Sequence, residues 1–525
     1  MTDAQGVLIG SDPPVAANGK ADEVGRGWPR PAFWLTATTA LALGLLLIYK
    51  GVRLGVFQGQ NEIDDGLYYG EGVLLSHGLL PYRSYIDVQP PGIALLMAPF
   101  ALLGRVTDNR IGFEVARIFF VIVGVVNVGL LGRLVRRRHW VGVLVCLVTF
   151  AFFVDTRTAD HTILLESLLV LGTLLGFLTV FGDTEIATSS ATRWLTAGVL
   201  LGLTTSFKLW GVFPMIVLLV FAASRGRRCL AHFVGGGIGG FGVVCLPFFL
   251  LAPAKFVREV IVTQATRSHL GFVSEKFRLM NLLGGTAQVR FAPSIWVPVA
   301  LWVILALVIL GSILYARRVD PNRTFTNLDA CAMACVVVVG ASFLLAPEFQ
   351  SHYGGFFTPF LALVLSATAV RLLPLARPLL TVAIVVAMLG FFLMSAHDIV
   401  DKQKEPLPTA ALDRLFPPSA CVISEAYAPV ILANRYNLYR SQCPRILDVD
   451  GAELTDGNGS SHSASDATDQ KVQSDWLGWL HRADGLVLLA PVSKQVDIGT
   501  AVRTYLHTHF SLAAVSDGLF IYRRV

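Results

Sequence analysis

Charged residues are scarce in this chain, and that scarcity excludes an ordinary water-soluble domain. Only 15% of the 525 residues are Asp, Glu, Lys or Arg, whereas 54% are hydrophobic. Soluble globular domains carry about 25% charged residues. The charges that are present form short clusters between apolar runs of about 17–25 residues, the length that crosses a bilayer as a helix. The alternating segments of a membrane β-barrel are not visible. We therefore predict an all-α polytopic membrane protein.

Several signatures of other chemistry are also missing. There is no CxxC or His-rich pattern among the seven cysteines and eleven histidines, which argues against a structural zinc site. No nucleotide-binding loop occurs, since the glycines at 235–240 lie within a predicted span and favour close helix packing. A cytosolic nucleotide-sugar donor is therefore disfavoured. The net charge of +6 is spread over short loops, which is typical of a topology signal rather than of nucleic-acid binding.

The apolar runs predict about eleven transmembrane helices. Nine of them are expected near residues 33–49, 114–134, 140–154, 161–181, 232–251, 292–315, 326–346, 355–374 and 379–396. The stretch from Trp194 to Ala223 is too long for one span and carries Lys208 at its centre. A lysine at mid-bilayer on a lone helix would cost at least ~2.5–3.5 kcal/mol. Two short helices meeting at Lys208 are therefore expected.

The basic clusters predict the orientation. Arginines concentrate at 133–138, 225–228 and 317–323, and short basic loops belong in the cytoplasm. The chain is then a multi-pass protein of the plasma membrane. Its expected parts are a disordered cytoplasmic tail (1–31), a transmembrane catalytic domain (32–396) with long exterior loops at 51–113 and 252–291, and an extracytoplasmic domain (397–525).

The exterior domain is predicted to be a small α/β unit. Short β-rich runs occur at 421–424, 445–449, 485–490 and 519–523, and helical runs at 475–482 and 499–509. Its two cysteines, Cys421 and Cys443, form an even pair in an oxidising compartment. We therefore predict a disulfide between them.

The first exterior loop carries the strongest cluster of candidate catalytic residues. Residues 61–71 read Asn-Glu-Ile-Asp-Asp-Gly-Leu-Tyr-Tyr-Gly-Glu. Clustered carboxylates near lipid raise one another's pKa, which suits a general base acting on a sugar hydroxyl. They can also hold a divalent cation through oxygen ligands. A solvated acidic loop is the plain alternative.

The loop continues with Leu-Pro-Tyr-Arg-Ser-Tyr-Ile-Asp-Val-Gln-Pro-Pro-Gly at 80–92. This arrangement resembles the GT-C superfamily of polyprenyl-phosphate-sugar glycosyltransferases, which includes protein O-mannosyltransferases, aminoarabinose transferases of lipid A and actinobacterial cell-wall mannosyl- and arabinosyltransferases. The resemblance is specific in the first loop and diffuse elsewhere between about residues 32 and 373. It implies that Asp64 is the catalytic base and Asp65 its supporting or metal-binding neighbour, although the choice of base between the two stays open. The pair is also a candidate site for Mg²⁺ or Mn²⁺.

The resemblance also assigns roles to later residues. Asp160 and Glu166 match the second acidic site of the superfamily, although helix-start carboxylates favoured by the dipole are an alternative. Lys208 matches the lysine of the short hairpin and is a candidate for binding the donor phosphate; a snorkelling lysine is the alternative. The remaining phosphate-site candidates are Arg267, His352 and Tyr353, and the last two can equally be an interfacial anchor.

The function implied is inverting transfer of a sugar from a polyprenyl phosphate to a glycan, glycolipid or protein on the outer face of the membrane. Mannose is slightly preferred as the sugar, and arabinose is the other candidate. A membrane transporter or lipid-glycan flippase, and an inactive scaffold with the same fold, are the alternatives. A transporter predicts charges at mid-depth of the helical bundle, whereas the candidates here cluster at one predicted face.

Overall fold

Long helices make up most of the structure. The computed structural model describes residues 29–53, 55, 57, 63–266, 274–284, 294–319, 325–375, 377–400, 409–436, 438, 442–449, 451, 455, 469–492, 498–516 and 518–525. The membrane-region helices are α1 (Arg30–Arg53), α2 (Ile63–Ser76), α3 (Gly92–Val106), α4 (Asn109–Val135), α5 (Trp140–Phe152), α6 (Val154–His161), α7 (Leu165–Phe181), α8 (Ala191–Thr205), α9 (Val212–Ser224), α10 (Arg227–Leu251), α11 (Pro253–Phe256), a π-helix (Val257–Val262), α12 (Thr263–Thr266), α13 (Glu275–Asn281), α14 (Trp296–Val319), α15 (Asn327–Leu345), α16 (Gly354–Leu372) and α17 (Arg377–Val400).

Within the described part of the chain, seven helices are long and apolar enough to cross a membrane. An eighth span results if α5 and α6, which meet at a bend of 58°, are counted together. The predicted number of about eleven is reached only by adding α7 and the two helices around Lys208. Each of these three has 17 residues or fewer, which is short for a span on its own. The exact number of spans therefore stays a prediction.

The stretch around Lys208 is divided as the sequence predicted. Helix α8 ends at Thr205, Lys208 has an extended backbone, and a 3₁₀ turn (Leu209–Gly211) leads into α9. Helices α8 and α10 then pack closely. Gly198 and Gly236 lie against the backbone of the facing helix, where a Cβ atom would collide with a carbonyl oxygen. This close approach of small residues is the packing expected for the glycines at 235–240.

Ion pairs connect separate loops and helix ends at one face of the helical bundle. Arg138 contacts Glu185 at 2.8 Å and Asp329 at 2.7 Å, and Asp329 also pairs with Arg371. Arg225 donates a hydrogen bond to Asn327 at 2.8 Å. Chain segments at or next to the three basic clusters therefore lie together on one side of the bundle, and the cytoplasmic location of that side stays a prediction.

The C-terminal domain packs at the other end of α4, where Arg110 donates a hydrogen bond to the Leu432 carbonyl at 3.0 Å, and it is a small α/β unit. Its sheet has the order β1-β2-β4-β3, in which β1 pairs parallel to β2 and the other pairs are antiparallel. The elements are α18 (Thr409–Leu415), β1 (Val422–Ser424), α19 (Tyr427–Leu432), α20 (Gln470–Arg482), β2 (Gly485–Leu488), α21 (Thr500–His509), β3 (Phe510–Ser516) and β4 (Leu519–Arg524).

Two features of this domain differ from the predictions. The run 445–449 is not a strand. It follows Cys443, which the expected disulfide ties to Cys421, and its side chains are divided between two surfaces: Leu447 packs against α2, and Val449 lies in the core of the domain. The strand β3 was not predicted. Its side chains are mostly exposed, since it lies at the edge of the sheet, and it lacks a long apolar run.

The C-terminal domain packs directly on the first loop. Gly66 of α2 lies against the backbone of Ala428 in α19, so closely that an added Cβ atom would sit 2.4 Å from the Ala428 nitrogen. Four residues later, Gly70 lies against the side chain of Leu447. Helix α2 is therefore held between the bundle and the domain, which fixes the position of the acidic residues in its first turn.

Candidate active site

The candidate site begins at the first turn of α2. Asp64 and Asp65 are its acidic residues, and negative charge at a helix N-terminus is favoured by the helix dipole. The Asp64 side chain is 34% exposed, while its Oδ2 lies 3.5 Å from the Tyr68 hydroxyl and 3.9 Å from His352 Nε2. Asp64 therefore faces an accessible space that is lined by polar groups from distant parts of the chain.

Asp65 points the other way and is fully buried. Its Oδ2 accepts hydrogen bonds from both Nε and Nη2 of Arg117 in α4, the first at 3.0 Å. Its Oδ1 accepts from the backbone N–H of Ile163 at 2.8 Å. The side chains of Asp65 and Arg117 have no exposed surface. Asp65 thus joins α2, α4 and the turn after α6, and it is closed to substrate in this structure.

A second acidic side chain approaches the Asp64 side of the site. Glu166, in the first turn of α7, accepts a hydrogen bond from Lys208 Nζ at 2.9 Å, and both side chains are almost fully buried. The Lys208 ammonium also lies 3.8 Å from the ring centre of Trp210 and 4.4 Å from that of Tyr353. Cation–π contacts and an ion pair together hold the ammonium in place.

His352 connects the two carboxylates. Its Nε2 lies 3.9 Å from both Asp64 Oδ2 and Glu166 Oε1, and the side chain is 4% exposed. Among the residues that the structure describes, this nitrogen has no hydrogen-bond partner. His352 and Tyr353 form the short 3₁₀ turn that precedes α16. The structure thus brings five of the predicted residues together: Asp64, Glu166, Lys208, His352 and Tyr353.

The other predicted residues are placed differently. Asp160 is buried at the end of α6, where it accepts a hydrogen bond from Ser167 at 2.7 Å and packs against Gly124. Its hydrogen-bond partner differs from that of Glu166, which pairs with Lys208. Arg267 lies outside the described residues.

Burial is the main influence on the Asp64 carboxyl group. It raises the pKa of Asp64 above the ordinary value of 3.8, because removing the carboxylate from water disfavours its charged form. The charges of His352 and Lys208 act in the opposite direction and partly offset this effect on the pKa. A carboxylate with a raised pKa holds a proton more readily, as a general base requires.

The predicted metal pair does not fit the geometry. Both oxygens of Asp65 are engaged by Arg117 and Ile163, so Asp64 and Asp65 do not offer a common set of free oxygen ligands. In the described part of the chain, no three His, Cys, Asp or Glu side chains form a group that could hold a metal ion.

Two participants were not identified from the sequence. Arg117 could have been noticed, because an arginine within the predicted span 114–134 is costly without a buried partner. Trp210 follows Lys208 by two residues, but its ring contact with the ammonium depends on the 3₁₀ turn at this point. Neither pairing can be deduced from spacing alone.

Comparison with known proteins bears on the family and on the fold. Residues 88–347 match the model of glycosyltransferase family 87, a range that begins after Asp64 and ends before His352. No protein of curated function matches the sequence. The fold is similar to the crystal structure of ArnT from Cupriavidus metallidurans in the apo state, with a TM-score of 0.55 and 13% identity over 92% of this chain and 98% of that one.

The same fold occurs in ArnT from Cupriavidus metallidurans bound to undecaprenyl phosphate, with a TM-score of 0.54 and 14% identity over 93% of this chain and 98% of that one. The similarity extends over the bundle and the C-terminal domain alike. The predicted resemblance is therefore confirmed: residues 88–347 match the model of glycosyltransferase family 87, and the fold of the chain is similar to that of ArnT.

Proposed function

We propose that this protein transfers a sugar from a polyprenyl-phosphate donor to a hydroxyl group of a cell-envelope glycan, glycolipid or protein, with inversion at the anomeric carbon. Three findings support this proposal. One is the match to a glycosyltransferase family. Another is the undecaprenyl phosphate held by a protein of the same fold. The third is the grouping of one accessible carboxylate with a buried ammonium and an imidazole.

The position of Asp64 carries the proposal. It is the member of the acidic pair whose side chain is partly exposed, and its partial removal from water raises its pKa. In the reaction, Asp64 takes the proton from the acceptor hydroxyl while that oxygen attacks the anomeric carbon. The bond between the anomeric carbon and the phosphate oxygen breaks, and polyprenyl phosphate leaves with the electron pair. The proton ends on Asp64, so atoms and charge balance.

The leaving phosphate gains negative charge as the bond breaks, and preorganised positive charge then stabilises the transition state. Lys208 and His352 are the groups positioned for this task. The free Nε2 of His352 offers a hydrogen bond or a proton to a phosphate oxygen. Glu166 and the two aromatic rings hold the ammonium in place before the donor binds. No step is assigned to a metal ion, since Asp64 and Asp65 do not converge.

The sugar, the side of the membrane and the donor lipid are proposed as the sequence predicted them. We prefer mannose slightly over arabinose as the transferred sugar, and we place the reaction on the outer face, where the C-terminal domain and the site occur together. The undecaprenyl phosphate bound by ArnT supports a long polyprenyl chain in the donor.

The test is sugar transfer in membranes that contain the wild type or the Asp64→Asn variant. Each receives labelled polyprenyl-phosphate mannose or arabinose together with a crude glycan fraction. Loss of a general base is expected to lower transfer by about 100- to 10,000-fold. Asp108→Asn is the matched control, because Asp108 caps α4 from the same side of the protein and asparagine keeps that cap.

Transfer with one donor, retained in the control and lost in Asp64→Asn at equal protein level, would support the activity and identify the sugar. Undiminished transfer by Asp64→Asn would refute the proposed base. If Asp64→Asn abolished movement of a lipid-linked glycan across the membrane and left sugar transfer unaffected, the flippase alternative would be favoured.

A further inference from the structure

A cleft of about 340 Å³ lies between the first loop and the C-terminal domain. Three pieces of chain form its walls: residues 84–86 of the loop, residues 443–448 after the disulfide, and the outer side of α20. Ligand pockets are commonly found at such junctions and have volumes from about 300 Å³ upward. The cleft is separate from the group formed by Asp64, Glu166 and Lys208.

The residues in the cleft have the chemistry that binds carbohydrate. Trp479 of α20 lies partly exposed at the cleft and is supported from behind by Trp476, whose ring centre is 5.5 Å away. Flat aromatic faces stack against the C–H side of a sugar ring. Arg482 and Asp475 stand on the same helix, and their donor and acceptor groups can bind neighbouring sugar hydroxyls.

The cleft is also in contact with α2, the helix that carries Asp64. Leu447, which lines the cleft, packs against Gly70 of α2. Gly70 follows Asp64 by six residues on the same helix, a separation of about 9 Å along the helix axis. One wall of the cleft is therefore in contact with the helix that carries Asp64.

From these observations we infer that the cleft binds the acceptor glycan at sugars remote from the reacting hydroxyl. This inference rests on the proposed function and adds to it the class of acceptor: an oligosaccharide or the saccharide part of a glycolipid. The exterior domain then selects the acceptor, while the membrane helices bind the donor.

Binding and turnover are measured separately. The probe is a fluorescent oligosaccharide pool released from the host's cell-envelope glycans, added to the full-length protein in lipid nanodiscs. Binding is measured in proteins that carry Asp64→Asn, so that sugar transfer does not alter the probe. We expect Trp479→Ala and Arg482→Ala to weaken retention of the pool by about five- to tenfold.

Matched controls lie in the same domain but away from the cleft. Leu512→Ala removes an exposed apolar side chain from the edge strand β3, and Arg414→Ala removes an exposed arginine from α18. Both are expected to retain the pool as well as the parent does. With Asp64 intact, the cleft variants should raise the KM for the acceptor pool several-fold and leave the donor KM, kcat and donor hydrolysis unchanged.

The outcomes separate the two proposals. Equal retention by the cleft variants and the controls, or no retention of the pool even by the parent protein, overturns the cleft assignment. Transfer with an unchanged acceptor KM in both cleft variants overturns it as well, while the proposed function stands. Retention that depends on the cleft in a protein that transfers no sugar would support glycan binding and count against the glycosyltransferase activity.

Discussion

Substitutions of Asp64 and Asp65, the neighbouring acids of α2, are expected to affect different properties of the protein. In the Asp65→Asn variant, the new amide oxygen can still accept the hydrogen bond from Ile163, but the Arg117 guanidinium loses its counter-charge. Removing one partner of a buried ion pair costs about 3–5 kcal/mol, since the other charge is left uncompensated. In Asp64→Asn, no buried ion pair is broken at hydrogen-bond distance. Asp65→Asn should therefore lower stability, whereas Asp64→Asn should lower turnover.

A double variant isolates the electrostatic cause. Asp65→Asn combined with Arg117→Met removes the uncompensated charge, and methionine is well suited to the contact that Arg117 makes with the Phe113 ring at 4.3 Å. We expect the double variant to recover most of the stability lost in Asp65→Asn. Such recovery is the non-additive behaviour of residues in direct contact.

The assay is thermal unfolding of purified protein in one fixed lipid nanodisc, with sugar transfer measured on the same samples. A chain of this size is not expected to unfold in a single two-state step, so the melting temperatures rank the variants rather than give free energies. The reasoning is refuted if Asp65→Asn melts like the wild type and has lost transfer, while Asp64→Asn transfers normally. That result would make Asp65 the base.

Three further outcomes are expected. The Asp64 pKa is raised, and the base must be ionised to act. We therefore expect kcat/KM to fall as the pH drops through an inflection above 3.8. A flat pH profile down to about pH 4 would contradict this expectation. Lys208→Met should reduce kcat about 100-fold or more through loss of transition-state stabilisation, and a change confined to membrane insertion would indicate that the Glu166 ion pair is structural. Reduction of Cys421–Cys443, which are 22 residues apart, should destabilise the C-terminal domain by about 3 kcal/mol. Limited proteolysis with and without reductant would detect this as faster cleavage there, with the helical bundle unaffected.

Much of the membrane architecture could be predicted because the bilayer imposes strong rules on sequence. A lysine inside an apolar stretch indicated a break, and the chain does break between Thr205 and Leu209. The bend between α5 and α6 was not anticipated. Here Asp155, Arg157 and Asp160 follow directly on an apolar helix. They face the interior of the bundle, where Arg157 donates a hydrogen bond to the Ser395 carbonyl and Asp160 accepts one from Ser167. Such compensation depends on tertiary contacts that no local pattern contains.

The C-terminal domain was less predictable, since short strands give weak signals. Strands β1, β2 and β4 are buried and β-rich, and their runs were identified. The run 445–449 has the same β-rich composition, yet its apolar residues pack partly against α2 and not within the sheet. A hydrophobic run shows that a segment is buried, but the surface that buries it is decided elsewhere in the chain.

The choice between Asp64 and Asp65 shows most clearly where sequence reasoning ends. The spacing located the acidic pair but left either residue as the base. In an α-helix, consecutive residues point about 100° apart, so two neighbouring carboxylates at a helix start cannot face the same space. Arg117, 52 residues after Asp65, decides the question by binding that side chain and leaving Asp64 toward His352. The two acids therefore have separate roles. Asp65 holds three elements together, so that Asp64 can meet the substrate at a fixed position, as general-base catalysis requires.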